Sequence, residues 1–469
     1  MKKEDKDKLL IGLVDADLMD GGTRHPNLAM LKIAGFLYDN EIPFELITDT
    51  DEDVSRFSRI YISKVFTFTA NPHFYDKAIG TEEEKKFAVG GTGFYMMETK
   101  VPKFRKLRDD DFNQLEKDKF LNQFPNIRGD RRKKGIDMAA QMPYYDLYNK
   151  FIEQKIAEGR KPTYFIDYMK YSIGFLTRGC FRHCPFCVNK LENTITPYSK
   201  LEWFLDNTTD ENGKLVRPYI YLWDDNFLAA KPEVWRPLLQ ELIDTQRPFQ
   251  FRQGLDERIL AESEFGEEIA EKLSKCKYHG DYIFAFDNWS DREKIVKALK
   301  IWKFYNSKET KFYLFCGFRL KKDSDDLLYK DVWEVFQRIR ILMMYGCLPY
   351  IMRHEDYHNH PLNNIYVQLA RWCNQPGFFR NLSFWDFCYK NQTYWEKSTL
   401  GYKHDKPLKS YEEFLEDLDA GYYNAPNKIT LPLKTALDFL EKFKEHKEEL
   451  LEMYKYKLKE LKDPSLWAR

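Results

Sequence analysis

Six short apolar runs, each followed by a polar turn, limit the possible folds of this chain more than any other feature of its sequence. Their side chains are mostly aliphatic or aromatic, as in strands that are buried on both faces of a parallel sheet. The runs are 173–176, 219–223, 249–252, 282–286, 312–315 and 348–352. Amphipathic helical patterns separate the later runs, at 234–245, 261–276, 292–303 and 331–344. Such repeated β–α units predict a parallel barrel or part of one.

A second α/β pattern precedes these units. The apolar run 9–14 is followed by helical spacing over 27–40 and by further runs at 43–47, 60–62 with 65–66, and 87–89. Strands that alternate with helices predict an N-terminal doubly wound, Rossmann-like domain. Ligands of such sheets bind beyond the carboxyl ends of the strands, where Asp15, Asp17 and the turn Gly90–Gly93 fall.

Helical patterns dominate the last hundred residues. Thr430-Leu431-Pro432 is typical of a helix start, and apolar residues continue to Leu461 at steps of three and four. This spacing predicts one long amphipathic helix over 430–461. The sequence thus predicts four segments: a Rossmann-like domain (1–100), an irregular linker (101–165), a barrel (166–370) and a helical C-terminal region (371–469).

Charge and hydropathy narrow the partners that we expect. Lys plus Arg equals Asp plus Glu at 74 each, so long-range attraction to nucleic acid or an anionic membrane is not implied. The basic run 128–134 is interpreted as a solvated loop, with a phosphate or nucleic-acid role as the alternative. No secretory segment and no apolar stretch of the ~20 residues that span a membrane is seen, which favours a cytoplasmic protein.

Three cysteines form the most specific chemical motif. Cys180, Cys184 and Cys187 have C-x3-C-x2-C spacing directly after the first barrel strand. Three thiolates on one loop can hold three irons of a [4Fe–4S] cluster and leave the fourth iron open to a small molecule. A zinc site would need a fourth ligand at matching spacing, and a disulfide would need an oxidising compartment. The other cysteines are predicted to be buried free thiols: Cys276, Cys316, Cys347, Cys373 and Cys388.

The run 177–187, with the aromatic Phe186 before the last cysteine, resembles the signature of radical S-adenosylmethionine (radical SAM) enzymes. The resemblance implies a partial (βα)6 barrel, open on one side for substrate. It also implies that the fourth iron chelates the amine and carboxylate of SAM. Reductive cleavage of SAM then yields a 5′-deoxyadenosyl radical, with flavodoxin or ferredoxin as the reductant.

Polar residues at the strand ends extend the resemblance. The segment Trp223–Phe227 is similar to the SAM-amine segment of radical SAM members that carry an N-terminal cobalamin-binding domain. The residues expected to bind SAM are Phe186, Asp224, Asp225, Asn226, Asp256 and Asp287. Each acidic residue also precedes a helix, so a helix N-cap is the structural alternative. Cys316 and His354, at the next strand ends, are interpreted as structural.

The N-terminal pattern itself resembles the cobalamin-binding fold, which makes cobalamin a third candidate cofactor. Asp15, Gly90 and Gly91 are the candidate cobalamin residues, the glycines by similarity to a pair that approaches the nucleotide tail. The D-x-H-x-x-G motif, which supplies a histidine to cobalt, is absent, and His25 does not fit it. Two alternatives stay open: cobalamin bound without a protein histidine, or a scaffold without cobalamin.

The expected activity is hydrogen-atom abstraction from an unidentified substrate. Methyl transfer through cobalamin is one outcome, and cobalamin-free modification of a small molecule, an RNA or a peptide is another. A non-catalytic, metal-stabilised binding protein is the alternative from a different functional class.

Overall fold

The structure is a computed structural model. It describes residues 9–20, 23–94, 115, 117–189, 193–320, 324–400, 407–423 and 429–468. The chain forms two compact units, Met1–Arg252 and Gln253–Arg469. Both are mixed α/β structures whose larger sheets are entirely parallel, as the sequence predicts. No helix in these ranges is long and apolar enough to cross a membrane.

The first sheet of the first unit contains four parallel strands. They are β1 (Ile11–Asp15), β2 (Phe44–Leu46), β3 (Arg59–Ser63) and β4 (Phe87–Gly90), in the order β2-β1-β3-β4. The helices that follow its strands are Ala16–Met19, Leu28–Asp39 and His73–Ala78. Every residue of β1 is buried, which explains its uninterrupted apolar character.

One predicted strand segment of this sheet is wrong. Residues 65–66 do not extend the third strand, which ends at Ser63. The amide N–H groups of Val65 and Phe66 donate instead to the carboxylate of Asp17, at 2.7 and 3.2 Å. A side chain therefore satisfies the backbone groups that a strand would have paired with a neighbour.

The second sheet of the first unit carries the cysteine loop. Its strand β5 (Tyr171–Gly174) is followed by the short hairpin of β6 (Thr177–Arg178) and β7 (Thr196–Pro197). Strands β8 (Tyr219–Leu222) and β9 (Phe249–Phe251) complete the sheet in the order β5-β8-β9. The longer helices around it are Asn149–Ala157, Ile166–Lys170 and Pro232–Asp244.

The second unit begins with three more β–α repeats. Strands β10 (Tyr282–Ala285), β11 (Thr310–Cys316) and β12 (Leu348–Arg353) form a parallel sheet in sequence order. The helices between and before them are Arg258–Glu262, Gly266–Lys275, Arg292–Tyr305 and Asp325–Met344. All six strands predicted for this part of the chain are therefore present, three in each unit.

The C-terminal region is helical, but not in the predicted form. Its helices are Asn364–Cys373, Pro376–Phe379, Phe384–Leu400, Tyr411–Asp419, Leu431–Lys442, Lys447–Tyr454 and Leu458–Leu461. The expectation of one helix over 430–461 is wrong, because the chain leaves helical geometry at Phe443 (φ −115°, ψ 47°) and again at Lys457 (φ −128°, ψ 133°). Phe443 is buried and its ring packs against Phe439 and Tyr329. Burial of this ring accompanies the break.

Candidate functional site

The three motif cysteines lie on a loop held by the β6–β7 hairpin. Gly179 enters the loop with φ +107°, a backbone conformation that side chains disfavour, and His183 also adopts positive φ at +52°. The amide of Cys187 donates to the carbonyl of Cys184 at 2.9 Å, which closes a turn between these two ligands. The motif thiols are partly exposed, whereas the other five cysteines are buried free thiols, as predicted.

Hydrogen-bond donors face two of the sulfurs. Cys180 Sγ accepts from the Arg182 amide and from Asn226 Nδ2, both at 3.5 Å, and Cys187 Sγ accepts from the Asn189 amide at 3.4 Å. Burial nevertheless raises the pKa of Cys187 to about 11, and the neighbouring thiols act in the same direction. A coordinating metal reverses this balance because it deprotonates the thiol outright. The loop therefore has the chemistry of a metal ligand set.

In the part of the chain that the structure describes, no three His, Cys, Asp or Glu side chains are grouped to hold a single metal ion. The three protein ligands of an iron–sulfur cube bind three different irons rather than one ion.

Asp224, at the end of β8, shapes the start of the cysteine loop. Its buried carboxylate accepts from the Leu176 amide at 3.1 Å and from both the amide and the hydroxyl of Thr177 at 2.6 Å. Burial raises the pKa of Asp224 to about 6, although these donors oppose the shift. Both oxygens thus hold the chain at Leu176 and at the start of β6.

Asp225 and Asn226 contact the loop further along. Asp225 Oδ2 accepts from the Gly179 amide at 2.9 Å and lies 3.4 Å from Arg178 Nε. Within the described residues, Asp225 Oδ1 has no hydrogen-bond partner, and the side chain is 12% exposed. Asn226 reaches the first cysteine through the Sγ contact given above. Asp225 is therefore the strand-end carboxylate that combines a fixed position with an available oxygen. Phe186, the remaining predicted SAM residue of this unit, is half-buried in the same loop.

Asp256 and Asp287 lie in the second unit, among arginines. Asp256 Oδ1 accepts from Arg258 Nε at 2.8 Å, and Arg258 also reaches Asp291 at 3.0 Å. Burial raises the pKa of Asp287 to about 6, whereas Arg338 acts in the opposite direction. Neither aspartate is an N-cap through its side chain. Their assignment to SAM stays a prediction.

The candidate cobalamin residues have clear structural contacts. The buried Asp15 accepts from the Tyr148 hydroxyl at 2.9 Å and caps the helix that begins at Ala16, and burial raises its pKa to about 7. Gly90 pairs with Ser63 in the sheet. A Cβ on Gly91 would lie 2.4 Å from the Lys64 carbonyl oxygen, and its φ is +96°. Only glycine fits this turn.

A cluster around His25 was not predicted. His25 Nδ1 lies 2.5 Å from Asp167 Oδ2, and Arg252 Nη2 lies 2.9 Å from His25 Nε2. Because arginine can only donate, Nε2 accepts and Nδ1 carries the hydrogen. The imidazole also meets the edge of Trp223, with ring centroids 5.6 Å apart. The residues of this cluster are far apart in the sequence, so no local motif indicates it.

Comparison with known proteins gives two similar solved structures. No family model matches the chain, and no curated protein matches it. One structure is the radical S-adenosylmethionine methyltransferase TsrM from Kitasatospora setae, with cobalamin and a [4Fe-4S] cluster bound. It is 12% identical over 73% of this chain and 72% of TsrM, with a TM-score of 0.42. The other is the cobalamin-dependent S-adenosylmethionine radical enzyme OxsB, with aqua-cobalamin and S-adenosylmethionine bound. It is 14% identical over 94% of this chain and 62% of OxsB, with a TM-score of 0.33.

Proposed function

We propose that this chain is a radical SAM enzyme that uses a [4Fe–4S] cluster on Cys180, Cys184 and Cys187. The observation that carries the proposal is the way two adjacent carboxylates shape the loop of these three cysteines. Asp224 holds the residues that enter the loop, and Asp225 holds the Gly179 amide one residue before Cys180. Because these contacts already fix the loop, it loses little conformational entropy when its sulfurs bind a metal.

The protein residues have separate roles in this proposal. The cluster would supply an electron, delivered by a flavodoxin or ferredoxin, for reductive cleavage of the C5′–S bond of SAM to methionine and a 5′-deoxyadenosyl radical. Asp225 Oδ1 would accept from the SAM amine, and Phe186 would line the nucleoside. Asn226 Nδ2 and the amides of Arg182 and Asn189 would donate to ligand sulfurs and tune the cluster. We also assign Asp256 and Asp287 to SAM, on a partial (βα)6 barrel, from the resemblance alone.

Cobalamin-dependent methyl transfer is the second candidate function. The loop after β3, at the carboxyl edge of the first sheet, exposes Val65, Phe66 and Phe68 by 45%, 47% and 81%. The rings of Phe66 and Phe68 stack with centroids 5.2 Å apart. Exposed apolar side chains at a ligand-binding sheet edge suit the flat apolar face of a corrin ring.

Five buried unpaired cysteines suit a reducing compartment, so we place the protein in the cytoplasm.

Anaerobic turnover tests the proposal. The protein is purified and reconstituted without oxygen, its iron and sulfide are assayed, and SAM and dithionite are added with cobalamin supplied or withheld. We expect 5′-deoxyadenosine from the wild type, and S-adenosylhomocysteine in addition if methyl transfer occurs. Cys180→Ala, Cys184→Ala and Cys187→Ala should each reduce 5′-deoxyadenosine to the level seen without protein.

Cys276→Ala is the matched control, because Cys276 is a buried thiol outside the motif. It should retain iron and turnover. Zinc in place of iron, with no cleavage of SAM, would instead support the metal-stabilised binding protein.

A further inference from the structure

A basic cavity in the first unit is not used by the proposed mechanism. Its volume is about 650 Å³, and it lies where the helix Asn149–Ala157 ends and the chain turns towards residue 165. Five charged side chains and one aromatic side chain line it: Arg24, Lys155, Glu158, Arg160, Lys161 and Tyr164. The volume falls within the range of ~300–1,000 Å³ that small-molecule sites usually have.

The charges around this cavity do not balance. Lys155 Nζ lies 2.7 Å from Glu158 Oε2, so these two side chains neutralise each other. Among the residues that the structure describes, no carboxylate lies within ion-pair distance of Arg24, Arg160 or Lys161. Three positive charges therefore face the cavity without a protein counter-charge, although the whole chain is neutral.

Tyr164 contacts two of these cations with its ring. The guanidinium carbon of Arg24 lies 5.3 Å from the centre of the Tyr164 ring, and that of Arg160 lies 4.9 Å from it. Each contact is favourable, and both guanidinium groups are thereby placed at the same ring. Guanidinium groups match phosphate oxygens with paired N–H donors, which a single ammonium cannot do. The arrangement suits phosphate.

The cavity and the cysteine loop belong to the same unit, and one ring contact lies on the path of residues between them. Arg24 directly precedes His25, whose ring meets the edge of Trp223. Trp223 in turn precedes Asp224 and Asp225, which hold the loop. Arg24 therefore relates the cavity, through the next residue of the chain, to the strand end that carries Asp224 and Asp225.

We propose that Arg24, Arg160 and Lys161 bind a phosphate group of the substrate. The word substrate depends on the proposed function; the phosphate site itself does not. Free nucleotides and a single-stranded RNA both offer this chemistry.

Direct binding to the full-length, anaerobically purified protein tests the site. ATP binding is measured by calorimetry, and binding of a fluorescein-labelled single-stranded RNA ten-mer by anisotropy, both at low salt. We expect Arg24→Gln and Arg160→Gln each to weaken the preferred probe about tenfold, the loss expected for one charge-assisted contact. Lys161→Gln should weaken it about threefold, since an ammonium makes no paired contact.

The matched control is Arg131→Gln, which removes another exposed charge, in the basic run 128–134. It should leave both affinities within about twofold. ATP bound at least as tightly as RNA would identify a free nucleotide. Tighter RNA binding, with a log–log salt slope that falls by about 0.7 for each lost phosphate contact, would identify the strand.

Failure of both probes to bind at low salt would overturn the site, as would an equal loss in Arg131→Gln and Arg24→Gln. Cys180→Ala separates this proposal from the proposed function, because it should bind the probe normally while it loses SAM cleavage. A wild type that binds phosphate but never cleaves SAM would overturn the enzymatic proposal and keep the phosphate site.

Discussion

Acidic residues follow strands in both units, but their partners differ. In the first unit, Asp224 and Asp225 accept main-chain amides of the cysteine loop. In the second unit, Asp256 is paired with Arg258, and Arg338 lowers the pKa of Asp287 against its burial. Carboxylates that bind amides fix the backbone, whereas carboxylates that face arginines balance charge. Asp224 and Asp225 therefore serve loop geometry and Asp256 balances the charge of Arg258, whereas Asp287 combines a main-chain contact to Phe315 with the charge of Arg338.

Glu257 is the extreme case in the second unit. Its side chain is completely buried, and neither carboxylate oxygen has a hydrogen-bond partner among the described residues. Burial raises its pKa well above the ordinary value. Asp224, equally buried, instead has three donors.

The largest expected effect comes from Asp224→Asn. The amide keeps one acceptor and turns an NH₂ group towards a backbone amide of the loop, which we expect to cost about 3 kcal/mol of unfolding free energy and most of the bound iron. Urea unfolding and iron assay after reconstitution measure both. Asp256→Asn, at the corresponding place in the second unit, should keep its iron; an equal loss of iron in the two variants would contradict the comparison.

The next largest effect is expected from Asp15→Asn, which should change how the stability depends on pH. Burial raises the pKa of Asp15 from 3.8 to about 7, so the folded state binds this proton more tightly than the unfolded state. The free energy of unfolding therefore falls as pH rises from about 4 to about 7, and the penalty is complete above pH 7. Asparagine removes this penalty, which amounts to a few kcal/mol at pH 8.

Urea midpoints measured across this range check the result. Asp287→Asn, in the second unit, should flatten the curve only up to about pH 6. A wild type whose stability is independent of pH between 4 and 7 would show that neither pKa is raised.

Glu257→Met should stabilise the protein by about 1 kcal/mol, because two buried oxygens without partners are replaced by apolar atoms of similar volume. The urea midpoint at pH 7 measures the change. Destabilisation would mean that the carboxyl group of Glu257 makes a stabilising interaction in the folded protein.

Thr177→Val should have the smallest effect. It removes the hydroxyl donor to Asp224 and keeps the amide donor, so we expect a cost of about 1 kcal/mol with the iron content unchanged. Comparison of its urea midpoint with that of Asp224→Asn separates the hydroxyl from the two amides. Iron loss as large as in Asp224→Asn would show that the hydroxyl alone holds the loop.

The sequence predicts the order of strands and helices well, because buried parallel strands have continuous apolar runs. The prediction failed at two places, and in each a side chain makes a contact with residues distant in the sequence. Asp17 takes the amides of Val65 and Phe66 from the predicted strand, and buried Phe443 accompanies the break in the predicted long helix. The motif located the cysteines, and their spacing required no structure.

The residues that shape the site were harder to predict. Asp224 and Asp225 are separated from the loop that they hold by more than forty residues, and His25 is still further from Asp167 along the chain. Periodicity and local spacing carry no information about such contacts. The sequence therefore indicated these aspartates by their place at a strand end and by resemblance, and their contacts with the backbone amides were not predicted.

Electron paramagnetic resonance of the dithionite-reduced protein, recorded with and without SAM, tests the open iron most directly. We expect the signal of a reduced [4Fe–4S] cluster, with g-values that change when SAM is added because the fourth iron has no protein ligand. The absence of any reducible iron centre, or a cluster signal that SAM leaves unchanged, would contradict the radical SAM assignment.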